Sequence, residues 1–156
     1  MRLSELLTRE RVAIGHNGQD RPLSKGDALQ KLAALLASGA HADPALVERV
    51  LVEREQLQST GIGEGVAIPH GALPQLEAQY AALLIVPEGL DFAAIDGLAV
   101  NILFAVITPK RATGEHLKTL ARVSRLLRSK GFRERLVGAQ DPKEAYDLIA
   151  TEEGDR

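Results

Sequence analysis

Apolar positions along this chain recur with two periods, and the switches between them mark out the elements. Val12-Ala13-Ile14 is a short apolar run that reads as a strand, followed by a polar loop over 15–23. Ser24-Lys25-Gly26-Asp27 then has the form of a capping box, in which a serine and an acidic residue satisfy the first free N–H groups of a helix. Leu29, Leu32, Ala33 and Leu36 follow at helical spacing, and Gly39 is predicted to end the helix. Asp43-Pro44 opens a second helix, an N-cap followed by proline in the first turn. Its predicted inner stripe is Val47, Val50, Leu51 and Arg54.

Tyr80 to Val86 is a mostly apolar strand that Pro87 is expected to stop. Leu90–Ile95 and Leu98–Ile107 flank Asp96-Gly97, a hairpin signal. The second of these runs is apolar throughout except for Asn101, as befits a central strand covered on both faces. Thr113-Gly114-Glu115-His116 begins a third helix, with Leu117, Leu120, Ala121, Ser124 and Leu127 as its expected inner stripe. With Thr113 as N-cap, His116 falls at the third helical position. A short helix over 132–137 follows. A last helix capped by Asp141-Pro142 turns Tyr146, Leu148 and Ile149 inward. Residues 151–156 are expected to fray. The mixture predicts an α/β fold: a single domain over residues 5–150 with a central mixed β-sheet flanked by helices.

Composition narrows the function classes. A chain of 156 residues, 45% apolar and 26% charged, is long enough for one well-filled core. Only 3% is aromatic, so a stacking face for single-stranded bases is not expected. The net charge of −2, without a long run of either sign, argues against nucleic acid and against an anionic membrane surface. No cysteine is present, which removes disulfides, thiol nucleophiles and thiolate metal sites. No apolar run reaches membrane-spanning length, and the first residues lack a signal-peptide core. A cytoplasmic protein without membrane insertion is expected.

The segment richest in chemistry is Ser59-Thr60-Gly61-Ile62-Gly63-Glu64-Gly65-Val66-Ala67-Ile68-Pro69-His70-Gly71. Three glycines at alternate positions allow backbone N–H groups to approach an anion closely. The same glycines also fit a tight turn between two strands. They match neither a dinucleotide fingerprint nor a Walker loop, so no cofactor is called for. A histidine next to an anion-friendly loop is suited to carrying a phosphoryl group.

Four histidines are available. His16 and His41 lie in polar connections and read as solvated loop residues. His70 follows the glycine segment, and His116 lies in a helix's first turn, where unpaired N–H groups and the positive dipole end favour anions. Either of these two could instead be a plain polar residue of a turn or helix start. Two histidines without a third ligand are too few for zinc, and no Gly-x-Ser-x-Gly elbow supports a hydrolase. Arg54 holds an apolar-stripe position. It either snorkels at the helix end or turns its guanidinium inward to meet an anion.

Residues 60–71 resemble the active-site segment of the enzyme IIA domains of the bacterial phosphotransferase system, fructose–mannitol type. His116-Leu117-Lys118-Thr119-Leu120-Ala121 is similar to that family's second histidine motif, and Arg54 lies where the family carries its active-site arginine. Within the family the chain looks most like the nitrogen-regulatory branch. The resemblance implies that an HPr-type phosphocarrier donates its phosphoryl group to His70. It further implies that His116 hydrogen-bonds the phosphoryl oxygens, and that Arg54, Thr60, Gly61 and Gly63 bind the phosphate. The phosphorylated state would then signal to a regulatory target such as a transporter or sensor, or the group would pass to a sugar-specific IIB protein. Glu64, a carboxylate inside the glycine segment, departs from a phosphate-binding pattern, so its side chain is expected to point to solvent.

Overall fold

The computed structural model describes residues 2–16 and 23–154, so most of the predicted polar loop before Leu23 lies outside the described residues. The chain forms α1 (Leu3–Leu7), a single 3-10 turn, β1 (Val12–Ile14), α2 (Lys25–Ala40), α3 (Pro44–Leu57), β2 (Gly61–Gly63), β3 (Val66–Ala67), β4 (His70–Leu73), β5 (Tyr80–Leu90), β6 (Val100–Pro109), α4 (Thr113–Leu126), α5 (Lys130–Val137) and α6 (Pro142–Gly154). The strands make one mixed sheet in the order β1-β5-β6-β3-β2, with β4 also paired to β6.

Helices cover both faces of this sheet, which is why β5 and β6 are apolar on both sides. Leu103, Ala105 and Ile107 of β6 join α2 and α3 in one core, with Leu32, Leu36, Val47 and Leu51. The alternate residues Ile102, Phe104 and Val106 join the core under α1, α4, α5 and α6. Period-two alternation thus divides each central strand between two cores.

The capping box of α2 forms as its sequence predicts: Ser24 Oγ accepts from Asp27 N, and Asp27 accepts from Ser24 N, each at 3.0 Å. Asp43 caps α3 by a single bond, its carboxylate accepting from Ala45 N. Other expectations are corrected. Gly39 does not end α2. The helix runs on to Ala40 and closes at His41 in the left-handed region. Gly39 is instead a contact position, since a Cβ there would lie 2.1 Å from the Arg11 guanidinium. Pro87 does not stop β5, because it sits in a bulge between Ile85 and Leu90, where ladder pairing is interrupted and no N–H is needed. Asn101 donates to the carbonyls of Val86 and Pro87 at that bulge, which accounts for the one polar residue in β6. Residues 91–99 form an irregular connection rather than a strand, although Asp96-Gly97 does make a turn within it. At the chain end α6 extends to Gly154, where Glu153 accepts from the backbone N–H groups of Leu3 and Ser4.

Candidate functional site

The site begins at a break in a strand. β3 and β4 both run parallel to β6, with Val66 and Ala67 opposite Ile102 and Leu103, and His70 opposite Val106. Ile68-Pro69 separates them, and proline has no N–H to continue the ladder. Pro69 contributes its carbonyl instead, accepting from Val106 N at 2.9 Å. Neighbours in register share a face of the sheet, and Val106 faces the core beneath α4. The His70 side chain is therefore delivered to the α4 side.

α4 meets it there. Its N-cap is Ala112 rather than Thr113, so His116 is the fourth helical residue and its own N–H is already bonded to Ala112 O. The predicted inner stripe is also corrected. Thr119, Val123, Leu126 and Leu127 are buried, while Leu117 is 62% exposed and Ala121 faces solvent. The helix is rotated so that His116, not Leu117, turns toward the sheet. The rings of His70 and His116 lie 5.4 Å apart, tilted by 54°.

His70 Nδ1 lies 2.7 Å from the carbonyl of Ile68. A carbonyl can only accept, so Nδ1 carries the proton and Nε2 keeps the lone pair. Burial lowers the His70 pKa, and the nearby Arg54 charge adds to that effect. The Ile68 bond and Glu55 pull the other way without reversing it. Burial and the neighbouring His70 push His116 down to about 4. Both rings are thus neutral at pH 7. His116 Nδ1 is buried with no hydrogen-bond partner among the described residues.

A shallow pocket of about 260 Å³ opens beside His70, walled by Arg54, Ser59, Thr60 and Ile62 on one side and by Leu120 and Ser124 of α4 on the other. Arg54 lies at the helix end and at the pocket. It donates to Gln58 O at 2.9 Å, capping the end of α3, and it also lines the pocket. Thr60 lines the pocket too, but its donors are engaged. Its N–H and its hydroxyl both bond the Glu55 carboxylate, which Lys25 pairs at 2.8 Å.

The glycines form a turn between two strands. Gly61 and Gly63 belong to a hairpin of β2 with β3, whose turn is Glu64-Gly65, both at positive φ. A Cβ on Gly61 would lie 2.7 Å from Ala94, and one on Gly63 would meet the Asp96 carboxylate, so neither glycine is among the residues walling the pocket. Glu64 is exposed and paired with Arg133, away from the histidines. His16 is exposed against Glu88, and His41 closes α2.

Sequence reasoning missed Glu55. The buried positions of α3 are Val47, Leu51 and Glu55, four residues apart, and an acidic residue in that series is a signal that was available.

A mixed sheet between two helical layers thus carries a pair of neighbouring histidines at a strand break. The chain belongs to the EIIA 2 family of the phosphoenolpyruvate-dependent sugar phosphotransferase system, whose model matches residues 5–152. It is 39% identical over 127 residues to a nitrogen regulatory protein of Bradyrhizobium diazoefficiens, covering 81% of this chain and 83% of that one. It is 36% identical over 155 residues to the nitrogen regulatory protein of Escherichia coli K12, covering 99% and 93%. The crystal structure of nitrogen regulatory protein IIA-Ntr from Neisseria meningitidis superposes with a TM-score of 0.84 at 31% identity, covering 94% of this chain and 98% of that one. A mannitol-specific IIA component of Staphylococcus aureus is 31% identical, covering 94% and 96%. Among the described residues no helix is long and apolar enough to cross a membrane.

Proposed function

We propose that this protein is a regulatory histidine phosphocarrier of the cytoplasm that takes a phosphoryl group onto His70 Nε2 from an HPr-type phosphocarrier protein. The observation that carries the proposal is the His70–Ile68 bond. It fixes the tautomer and leaves Nε2 as a nucleophile beside His116. The lone pair of Nε2 attacks phosphorus in line, and the donor's own bond to phosphorus breaks with its electrons. The Nδ1 proton stays on the Ile68 bond throughout, so no base is required. His116 donates a ring N–H to the phosphoryl oxygens, and Arg54 leaves Gln58 O to supply positive charge. Of the residues assigned to phosphate binding, His116 and Arg54 keep that role in the proposal. Thr60 shapes the pocket with its donors committed to Glu55, and Gly61 and Gly63 serve the hairpin.

The regulatory reading is supported by the similarity to nitrogen regulatory proteins. The output is then a binding equilibrium with a target such as a transporter or sensor, biased by the added charge of about −1.5 to −2. The Staphylococcus relative favours a second reading, in which the group passes onward to a sugar-specific IIB protein. The test is incubation with a phosphorylated HPr-type donor, followed by mapping of the label. An acid-labile phosphoramidate on His70, absent from a His70→Ala variant, is expected. Stable labelling of that variant rules the assignment out.

A further inference from the structure

Charge is distributed very unevenly along this nearly neutral chain. Residues 110–135 hold nine lysines and arginines against two glutamates, a net of +7, while the rest holds ten against nineteen aspartates and glutamates, a net of −9. The structure concentrates part of this excess on the outer face of α4. Leu117, Lys118, Ala121 and Arg125 are exposed there, and Arg128 continues the stripe just beyond the helix. Among the described residues, Lys118, Arg125 and Arg128 have no carboxylate partner. By contrast, Arg133 and Arg135 of α5 are paired with Glu64 and Glu152.

The stripe adjoins the candidate site. Leu120 and Ser124 of the same helix wall the His70 pocket, and Leu117 follows His116. Round the helix from Ser124, at 100° per residue, the order is Leu117, Arg128, Ala121, Arg125, Lys118. An exposed leucine at one edge, a small alanine and three unpaired cations suit a partner that presents apolar side chains beside carboxylates.

We propose that this face of α4 docks an acidic protein surface, such as a helix presenting leucines between glutamates. An extended polyanion fits less well. From Lys118 to Arg128 the stripe spans only about 15 Å, at about 1.5 Å per residue. Outside residues 110–135 the chain is net negative and repels a longer anion. As the identity of a regulatory target, the proposal rests on the reading of the protein as a phosphocarrier. Docking to the unphosphorylated chain does not, and the test uses that form.

The experiment is an amide-resolved NMR titration of the full unphosphorylated protein with a synthetic 18-residue helix carrying leucine and glutamate at helical spacing (a length of about five turns). A lysine-for-glutamate version and a single-stranded oligothymidine of the same charge serve as comparisons. The expected result is shift changes centred on residues 117–128. Affinity should weaken about tenfold or more in the triple variant K118E/R125E/R128E, as the loss of three exposed ion pairs allows, and should also fall for Leu117→Ser. These residues are exposed, so the circular dichroism of the variants should match the parent. Shift changes centred on another face, equal binding by the charge-reversed variant, or equal binding by the lysine helix overturns the proposal. Tighter binding of oligothymidine than of the acidic helix overturns it in favour of a polyanion. Loss of His70 labelling with this binding intact would instead refute the phosphocarrier reading alone.

Discussion

The ring nitrogens of the two neighbouring histidines, His70 and His116, have different partners. The Nδ1 of His70 is held by a carbonyl, which leaves Nε2 as the ring nitrogen with a free lone pair. His116 is neutral, with no partner on its Nδ1 among the described residues. If His116 donates to the transferring group, His116→Ala removes one bond to a charged acceptor. That bond is worth about 1.5–3 kcal/mol, or about one to two orders of magnitude in transfer rate. His116→Gln, which still donates, should restore part of the loss. Wild-type rates for His116→Ala in both forward and reverse transfer would remove it from the site. Arg54 makes a parallel case. Arg54→Lys keeps the charge but loses the planar fork, so transfer should slow with little change in melting temperature. A large stability loss with normal transfer would restrict Arg54 to capping α3 through Gln58.

Among the elements, the wall of the His70 pocket is held by a buried ion pair. Glu55 at the end of α3 bonds Lys25 at the start of α2 and both donors of Thr60 ahead of β2. Burial alone would raise the Glu55 carboxyl, but the bonds from Lys25, Thr60 and Ser59 outweigh it and hold the group below its ordinary value. Lys25 also lies 4.5 Å above the buried Phe92 ring. Glu55→Ala leaves the Thr60 N–H and the Lys25 charge without partners. Lys25 remains partly open to water, so the expected cost is at the lower end for a broken buried pair, about 2–3 kcal/mol. Urea denaturation measures it, and a midpoint unchanged from the parent would show that the pair does not organise this wall. Gly39 makes a second test at this scale. Gly39→Ala must displace Arg11, which donates to the Ala81 and Leu6 carbonyls, so it should destabilise the fold despite alanine's better helix propensity. An equal or higher melting temperature would contradict that packing role.

For the whole molecule, the histidine shifts make a statement about acid stability. Both His70 and His116 have folded pKa values below the ordinary 6.5, so the unfolded chain binds more protons as pH falls through 6.5. Stability should therefore decline from about pH 6.5 downward, with the His116 contribution spent near pH 4. Glu55, whose folded value is depressed, acts in the same direction at lower pH. Its contribution is present above its unfolded value and lost as pH falls through the folded one. Melting temperatures measured from pH 7.5 to pH 4.5 should fall. The fall should be shallower in a His116→Gln variant, which does not titrate. A pH-independent melting temperature across this range would contradict the burial of the two rings.

Local rules in the sequence determined much of this. The capping box of α2, the strand over Val12–Ile14, the central place of β6 and the α/β class follow from interactions within a few residues or from one period of burial. The family motif located His70 and His116 as well. Tertiary contact decided the rest. The face that α4 buries depends on where the sheet delivers His70, and helical periodicity could not choose between Leu117 and His116. Pro87 stays within β5 because a bulge and Asn101, distant in sequence, absorb it. The glycines of 61–65 make a hairpin because Val66 and Ala67 pair with β6. The donors of Thr60 are taken up by Glu55, whose carboxylate is also paired with Lys25 of another helix. In most of these cases a deciding partner lies far along the chain, and its effect depends on distance in space, which one-dimensional spacing does not contain.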